Sequence, residues 1–146
     1  MIAKYWEEYC NTCGYEGKYK SAICFGTSAQ EAQLALEAVL NGRKTAAIYP
    51  ETGYRTSMYG SACAGDRNLI VDWKGTAHAV IETVNVCRIA LCELTDKICR
   101  ADGCSDAEAW REARLPALKL EIEELGGELT EQSCFVVENF RCIYPA

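Results

Sequence analysis

A chain of 146 residues with a formal net charge of −6 and a pI near 4.9 is long enough to bury its own core, and its acidity argues against broad, tight binding along a nucleic-acid backbone. Apolar residues at 49% and charged residues at 25% are ordinary globular proportions, which excludes disorder as a class. No apolar run approaches the roughly 20 residues of a membrane span. The start, Met1-Ile-Ala-Lys-Tyr-Trp-Glu-Glu8, lacks the charged and uninterrupted apolar regions of a secretion signal, so a cytoplasmic location is expected. Ten cysteines in that setting predict reduced thiols filling small apolar positions rather than a disulfide framework.

Taken in chain order, Tyr5, Trp6, Tyr9, Cys10 and Cys13 fall at helical spacings before Gly14 and predict a short amphipathic helix over residues 2–13. Cys10 and Cys13 have the spacing of half a zinc knuckle, but a structural zinc needs four ligands, so no metal is expected. Tyr19 to Phe25 reads as a strand. Ser28-Ala-Gln-Glu31 reads as a capping box opening a helix over 29–40, with Ala32, Ala35, Leu36, Val39 and Leu40 as its buried stripe. Gly42 suits a left-handed cap, and the cations Arg43 and Lys44 follow at the start of a strand that stops at Pro50. Residues 51–64 read as a Gly-, Ser- and Tyr-rich loop, whose Tyr54, Arg55 and Tyr59 are candidates to contact a ligand.

Further along, Trp73-Lys-Gly75 predicts a hairpin between strands 68–72 and 76–86, with a separate short strand over 87–91. His78 is the only histidine, which excludes a His-based triad or His-rich metal site within one chain, and it is expected to be structural. A short helix over 94–100 ends at Ala101-Asp102-Gly103. Ser105-Asp-Ala-Glu108 reads as a second capping box, opening a helix to Leu125 that Pro116 should kink or split. Trp110, Leu118, Ile122 and Leu125 are its core candidates, and residues 133–141 read as a closing strand.

Phe25-Gly-Thr-Ser28, the helix after it and Gly42-Arg-Lys-Thr-Ala46 together resemble the opening of an ASCH domain, a β-barrel family of the PUA-like superfamily. Gly65-Asp66, the hairpin between Leu69 and Val86, Ala101-Asp-Gly103 leading to Trp110-Arg111, and the strand around Val136 to Ile143 continue that resemblance in order. It implies an α+β fold, a PUA-like mixed, mostly antiparallel β-barrel with flanking helices. The domain proper would span 20–146, with the helix and linker of 1–19 packed on it. In the family, a lysine, a hydroxyl residue three positions later and a glutamate before a glycine form the proposed active group. Hydrolysis of N4-acylated cytidine, cleavage of RNA and simple RNA binding are the associated activities.

Carried over, the lysine is Lys44 and the acid falls on Asp102, one methylene shorter. The hydroxyl position falls on Ala47, which has no nucleophile, and Tyr49 stands where arginine is frequent. Thr45 is a substitute two residues away, roughly 6–7 Å along a strand. Lys44, Asp102 and Thr45 are therefore the catalytic candidates, and Arg43, Lys44, Thr45, Tyr54, Arg55 and Tyr59 the binding candidates. The expected function is recognition of RNA, a nucleotide or a modified nucleoside in a cleft around Lys44. A hydrolase on acylated cytidine or RNA, and a protein-interaction domain or homodimer, are the alternatives. No cofactor, membrane or extended double-stranded DNA partner is expected.

Overall fold

The computed structural model describes residues 2–56 and 62–145. Its elements are α1 (Ile2–Cys13), β1 (Ala22–Ile23), α2 (Ala29–Leu40), β2 (Ala46–Pro50), α3 (Glu51–Thr56), β3 (Arg67–Val71), β4 (Ala77–Ala90), α4 (Asp96–Ala101), α5 (Ala107–Glu124) and β5 (Cys134–Tyr144). The strands form one sheet in the order β1-β3-β4-β5-β2, in which only β1 and β3 run parallel. The class is α+β with a mixed, mostly antiparallel sheet, as expected. The expected barrel, in contrast, is not closed: β1 and β2 are the two edges, and no ladder joins them. The chain passes from the β1 edge to the β2 edge through helix α2.

Alternation along β5 explains how both sheet faces are covered. Phe135 and Val137 face one layer and Phe140 the other. The first layer holds α4 and α5, where the buried Trp110 ring meets Phe135 edge to face at 5.9 Å. That geometry suits the aromatic quadrupoles, and full burial of each ring is worth about 1.5–3 kcal/mol. The second layer holds α2, which lays Leu36 and Val39 against Ile70, Ile81 and Phe140. At a third contact, Tyr9 of α1 packs on Leu69 and Val80, and Trp6 clusters with Tyr9, Tyr15 and Tyr19. The aromatic face read from residues 2–13 is thus the packing face of that helix.

Several local expectations are corrected by tertiary packing. The segment read as a loop from residue 51 opens with α3, because Tyr54 is buried there. The strands read as 76–86 and 87–91 are one strand, β4, whose register shift at Thr83/Asn85 disturbs the sequence alternation without ending the strand. Helix α5 runs unbroken through Pro116, anchored on either side by buried Trp110 and Ile122, while Leu125 lies exposed just past its end. Its cap is Asp106, not Ser105. At α2, Ser28 does cap Glu31 N, but the Glu31 carboxylate turns to Thr27. Leu40, placed in the buried stripe, is exposed, and Ala38 takes its place. Among the described residues no helix is long and apolar enough to cross a membrane.

Candidate functional site

Two helix ends build the site. At the end of α2, Gly42 adopts φ +80°, the left-handed cap that only glycine takes without strain. The turn then sends Lys44 N back to the Ala38 carbonyl at 2.9 Å. At the end of α4, Asp102 is the cap residue and Gly103 takes φ +98°. A Cβ on Gly103 would stand 4.0 Å from the Lys44 side chain, so the backbone conformation rather than crowding calls for glycine there. The backbone joins the two ends as well, with Thr45 N donating to Ala101 O at 2.8 Å.

Lys44 and Asp102 meet between these turns, each only 3% exposed. The Lys44 ammonium donates to Asp102 Oδ1 at 2.6 Å, to Ala46 O at 2.8 Å and to Asp102 O at 3.1 Å. Its nitrogen also sits 4.6 Å from the centre of the Phe25 ring. Burial pulls the Lys44 pKa below the ordinary lysine range, and Asp102 opposes that pull. Three acceptors around one nitrogen use all three donors of a protonated lysine. The other carboxylate oxygen of Asp102 accepts from Trp110 Nε1 at 2.8 Å, and Arg114 stands 3.8 Å from it. Both carboxylate oxygens and all three ammonium donors are therefore engaged within the protein.

This ion pair borders a cavity of about 520 Å³ between the β1 edge, α2, the start of β2 and α5. The size lies within the roughly 300–1,000 Å³ range of small-molecule sites. Phe25, Ala35, Ala47 and Ala117 supply apolar wall, and Thr27, Glu31, Arg43 and Arg114 supply polar groups. A smaller cleft of about 210 Å³ between Lys4, Glu8 and Thr76 lies away from Lys44 and Asp102. We take the larger cavity as the site because convergent polar groups accompany its apolar wall.

Of the residues singled out in the sequence, Lys44, Asp102 and Arg43 line this one cavity, and Ala47 does so where the family has its hydroxyl. Thr45 does not line it; its carbonyl instead accepts from Phe140 N at 2.9 Å. Nor does Tyr54, which is buried against Tyr49 and the Glu138 carboxyl. Burial, with Glu138 adding to it, pushes the Tyr54 pKa up to about 12, and burial likewise raises that of Glu138. Arg55 falls within α3 but its side chain lies outside the described residues, as does Tyr59 altogether. His78 pairs with Asp72 Oδ2 at 2.8 Å, at the turn between β3 and β4, and does not line the cavity.

Three contributors escaped the sequence reading. Trp110 was readable as core, but not as the donor that fixes Asp102. Arg114 lies four residues after Trp110, on the same helix face, and that spacing was the available signal. Glu31 was read only as a capping residue. Among the described residues, no three His, Cys, Asp or Glu side chains are grouped to hold a metal ion, and no disulfide joins any of the ten cysteines. Cys10 packs half-buried against the α1 aromatic cluster, and Cys13 is exposed at the helix end.

Comparison with known proteins bears on this architecture. Among curated proteins, none matches the sequence. The crystal structure of an ASCH domain from Lactobacillus crispatus JV V101 superposes with a TM-score of 0.85 at 23% identity, over 97% of this chain and 93% of that one. A protein from Enterococcus faecalis V583 gives a TM-score of 0.85 at 19% identity, over 97% of this chain and 87% of its own. At such identities the likeness is one of fold. The family model for the ASCH domain matches residues 21–144, which hold the whole sheet and all the cavity-lining elements, and the chain therefore belongs to the ASCH domain family.

Proposed function

We propose that this ASCH domain binds a nucleoside-sized ligand in the cavity beside Lys44 and does not turn it over. The observation that carries this reading is the closed network of Lys44, Asp102 and Trp110. A general base needs a free lone pair, and a lysine nucleophile must first lose a proton. Here deprotonating Lys44 would set its lone pair against one of three acceptors, so the network favours the inert ammonium. Ala47 adds the second half of the argument, since no hydroxyl stands where the family keeps one. The apolar wall, with the aromatic side chains of Phe25, Tyr49 and Trp110 among its lining, suits a flat base, and the acidic chain as a whole disfavours long RNA.

The test combines calorimetric titration of cytidine and N4-acetylcytidine with an assay for released acetate, in the wild-type protein and in Ala117→Trp. Ala117 is exposed and lines the cavity, so tryptophan there fills the mouth without entering the core. Saturable binding without acetate release, abolished in Ala117→Trp at unchanged melting temperature, is the expected result. Acetate release that disappears in Ala117→Trp would establish a hydrolase instead. Absence of binding to either compound would refute the nucleoside reading.

A further inference from the structure

We infer that Arg43 and Arg114 form an anion subsite at the mouth of the cavity, so that its occupant is a nucleoside 5′-monophosphate rather than the uncharged nucleoside. The inference rests on the nucleoside reading above and adds to it the charge of the ligand. Five charged residues line the cavity: Arg43, Lys44 and Arg114 against Glu31 and Asp102, a local excess of one positive charge on a chain of net −6. What matters more is which of these groups still has hydrogen-bonding capacity. Asp102 is supplied at both carboxylate oxygens by Lys44 and Trp110, and Glu31 at one, Oε2, by Thr27 N at 2.8 Å and Thr27 Oγ1 at 2.6 Å, which leaves Glu31 Oε1 as the one carboxylate oxygen not so engaged. Those contacts hold the Glu31 pKa below the usual carboxylate range, the Thr27 side chain contributing most.

The arginines are in the opposite condition. Arg114, its side chain 42% exposed, reaches Asp102 only through long contacts from one nitrogen, 3.4 Å to the backbone oxygen and 3.8 Å to Oδ2. A guanidinium has five N–H donors in a planar fork, so Nε and Nη1 remain available. Arg43 is exposed, and its side chain makes no hydrogen bond or ion pair with another described residue. Donors with spare capacity thus outnumber acceptors at the rim of an otherwise apolar pocket. Phosphate, whose oxygens match the guanidinium fork in pairs, supplies the missing acceptors. A monophosphate requires two such rim contacts, whereas a long strand requires a basic track that the acidic chain does not offer.

The experiment titrates the full chain with the four ribonucleosides, their 5′-monophosphates, inorganic phosphate and a 5′-phosphorylated hexanucleotide at two salt concentrations. At least one monophosphate is expected to bind about tenfold more tightly than its nucleoside, the scale of a hydrogen bond to a charged group. Arg43→Gln should reduce that advantage, and Arg43→Gln with Arg114→Gln should remove it, read in each variant as the ratio of monophosphate to nucleoside affinity. Arg114→Lys, which keeps the charge but not the fork, should retain part of it. Equal affinity for nucleoside and monophosphate would overturn the anion subsite and leave the nucleoside reading standing. Failure of every nucleoside and nucleotide to bind would overturn both. Tighter binding of the hexanucleotide, with a steeper salt dependence than the monophosphate, would replace the mononucleotide by an RNA strand.

Discussion

Lys44 and Asp102 put a large part of the molecule's vulnerability into two side chains. Removing either leaves the other charged, buried and without its partner, a change that costs about 3–5 kcal/mol. Lys44→Ala and Asp102→Ala should each lower stability by that amount in urea denaturation, whereas Lys44→Met combined with Asp102→Leu, which removes both charges but leaves Trp110 Nε1 without its acceptor, should lose clearly less than the sum of the two single variants. A loss below about 1 kcal/mol in the single variants would mean that the pair behaves like a surface ion pair. The lysine itself was legible from the sequence, because Gly42 announces a helix end and the family pattern places a lysine two residues later. Asp102, 58 residues away, was placed beside it by the family resemblance alone, and the two carbonyl acceptors, Ala46 O and Asp102 O, were not readable because they are backbone atoms. Spacing within a segment reports a face; it does not report which distant turn that face will meet.

Among the elements, the hairpin joining β3 and β4 makes the strongest case for local encoding. Asp72 Oδ1 accepts from Lys74 N at 2.9 Å and Thr76 N at 3.0 Å, and Gly75 takes φ +85°, so the turn is specified by its own four residues. The His78 contact, and after it the turn amides, hold the Asp72 carboxyl below its usual range. A carboxylate whose folded pKa is depressed stabilises the turn above its ordinary value of about 3.9, and that stabilisation is lost as pH falls through the lower folded value. The Lys74 and Thr76 amide resonances should therefore shift over that acid window in the wild type and stay still in Asp72→Asn. Stationary amides in the wild type would contradict the assignment. Elements set by distant packing were harder to read. Helix α3 exists because Tyr54 finds a buried place, and α5 survives Pro116 because Trp110 and Ile122 hold both halves.

For the molecule as a whole, the α+β character was readable because apolar segments alternate with turn residues, although the reading divided β4 into two strands and so gave six where the sheet has five. Closure was not, because whether two edge strands meet depends on what lies between them. In this chain the cavity and α2 lie there, and a bound ligand would touch the β1 edge through Phe25 and the β2 edge through Ala47. Ligand at 100 times its dissociation constant should raise unfolding stability by about 2.7 kcal/mol through mass action. Hydrogen exchange through global opening should slow across the sheet in the same sample, and Ile23, Ala47 and Tyr49, which line the cavity, should gain further protection on top of that. Uniform slowing across the sheet would point to a ligand bound elsewhere.

The unpaired seam between β1 and β2 also bears on how such a domain can diversify. A pocket walled by a hydrogen-bonded ladder can change shape only by disturbing strand register, and a slip of one residue reverses every side chain on that strand. Here the aperture is set instead by side chains such as Phe25, Ala35 and Ala117, none of which carries a ladder bond across the gap. Substitutions at these positions can enlarge, narrow or recharge the opening while the five-stranded frame keeps its pairing, so the scaffold and the choice of guest are free to evolve separately.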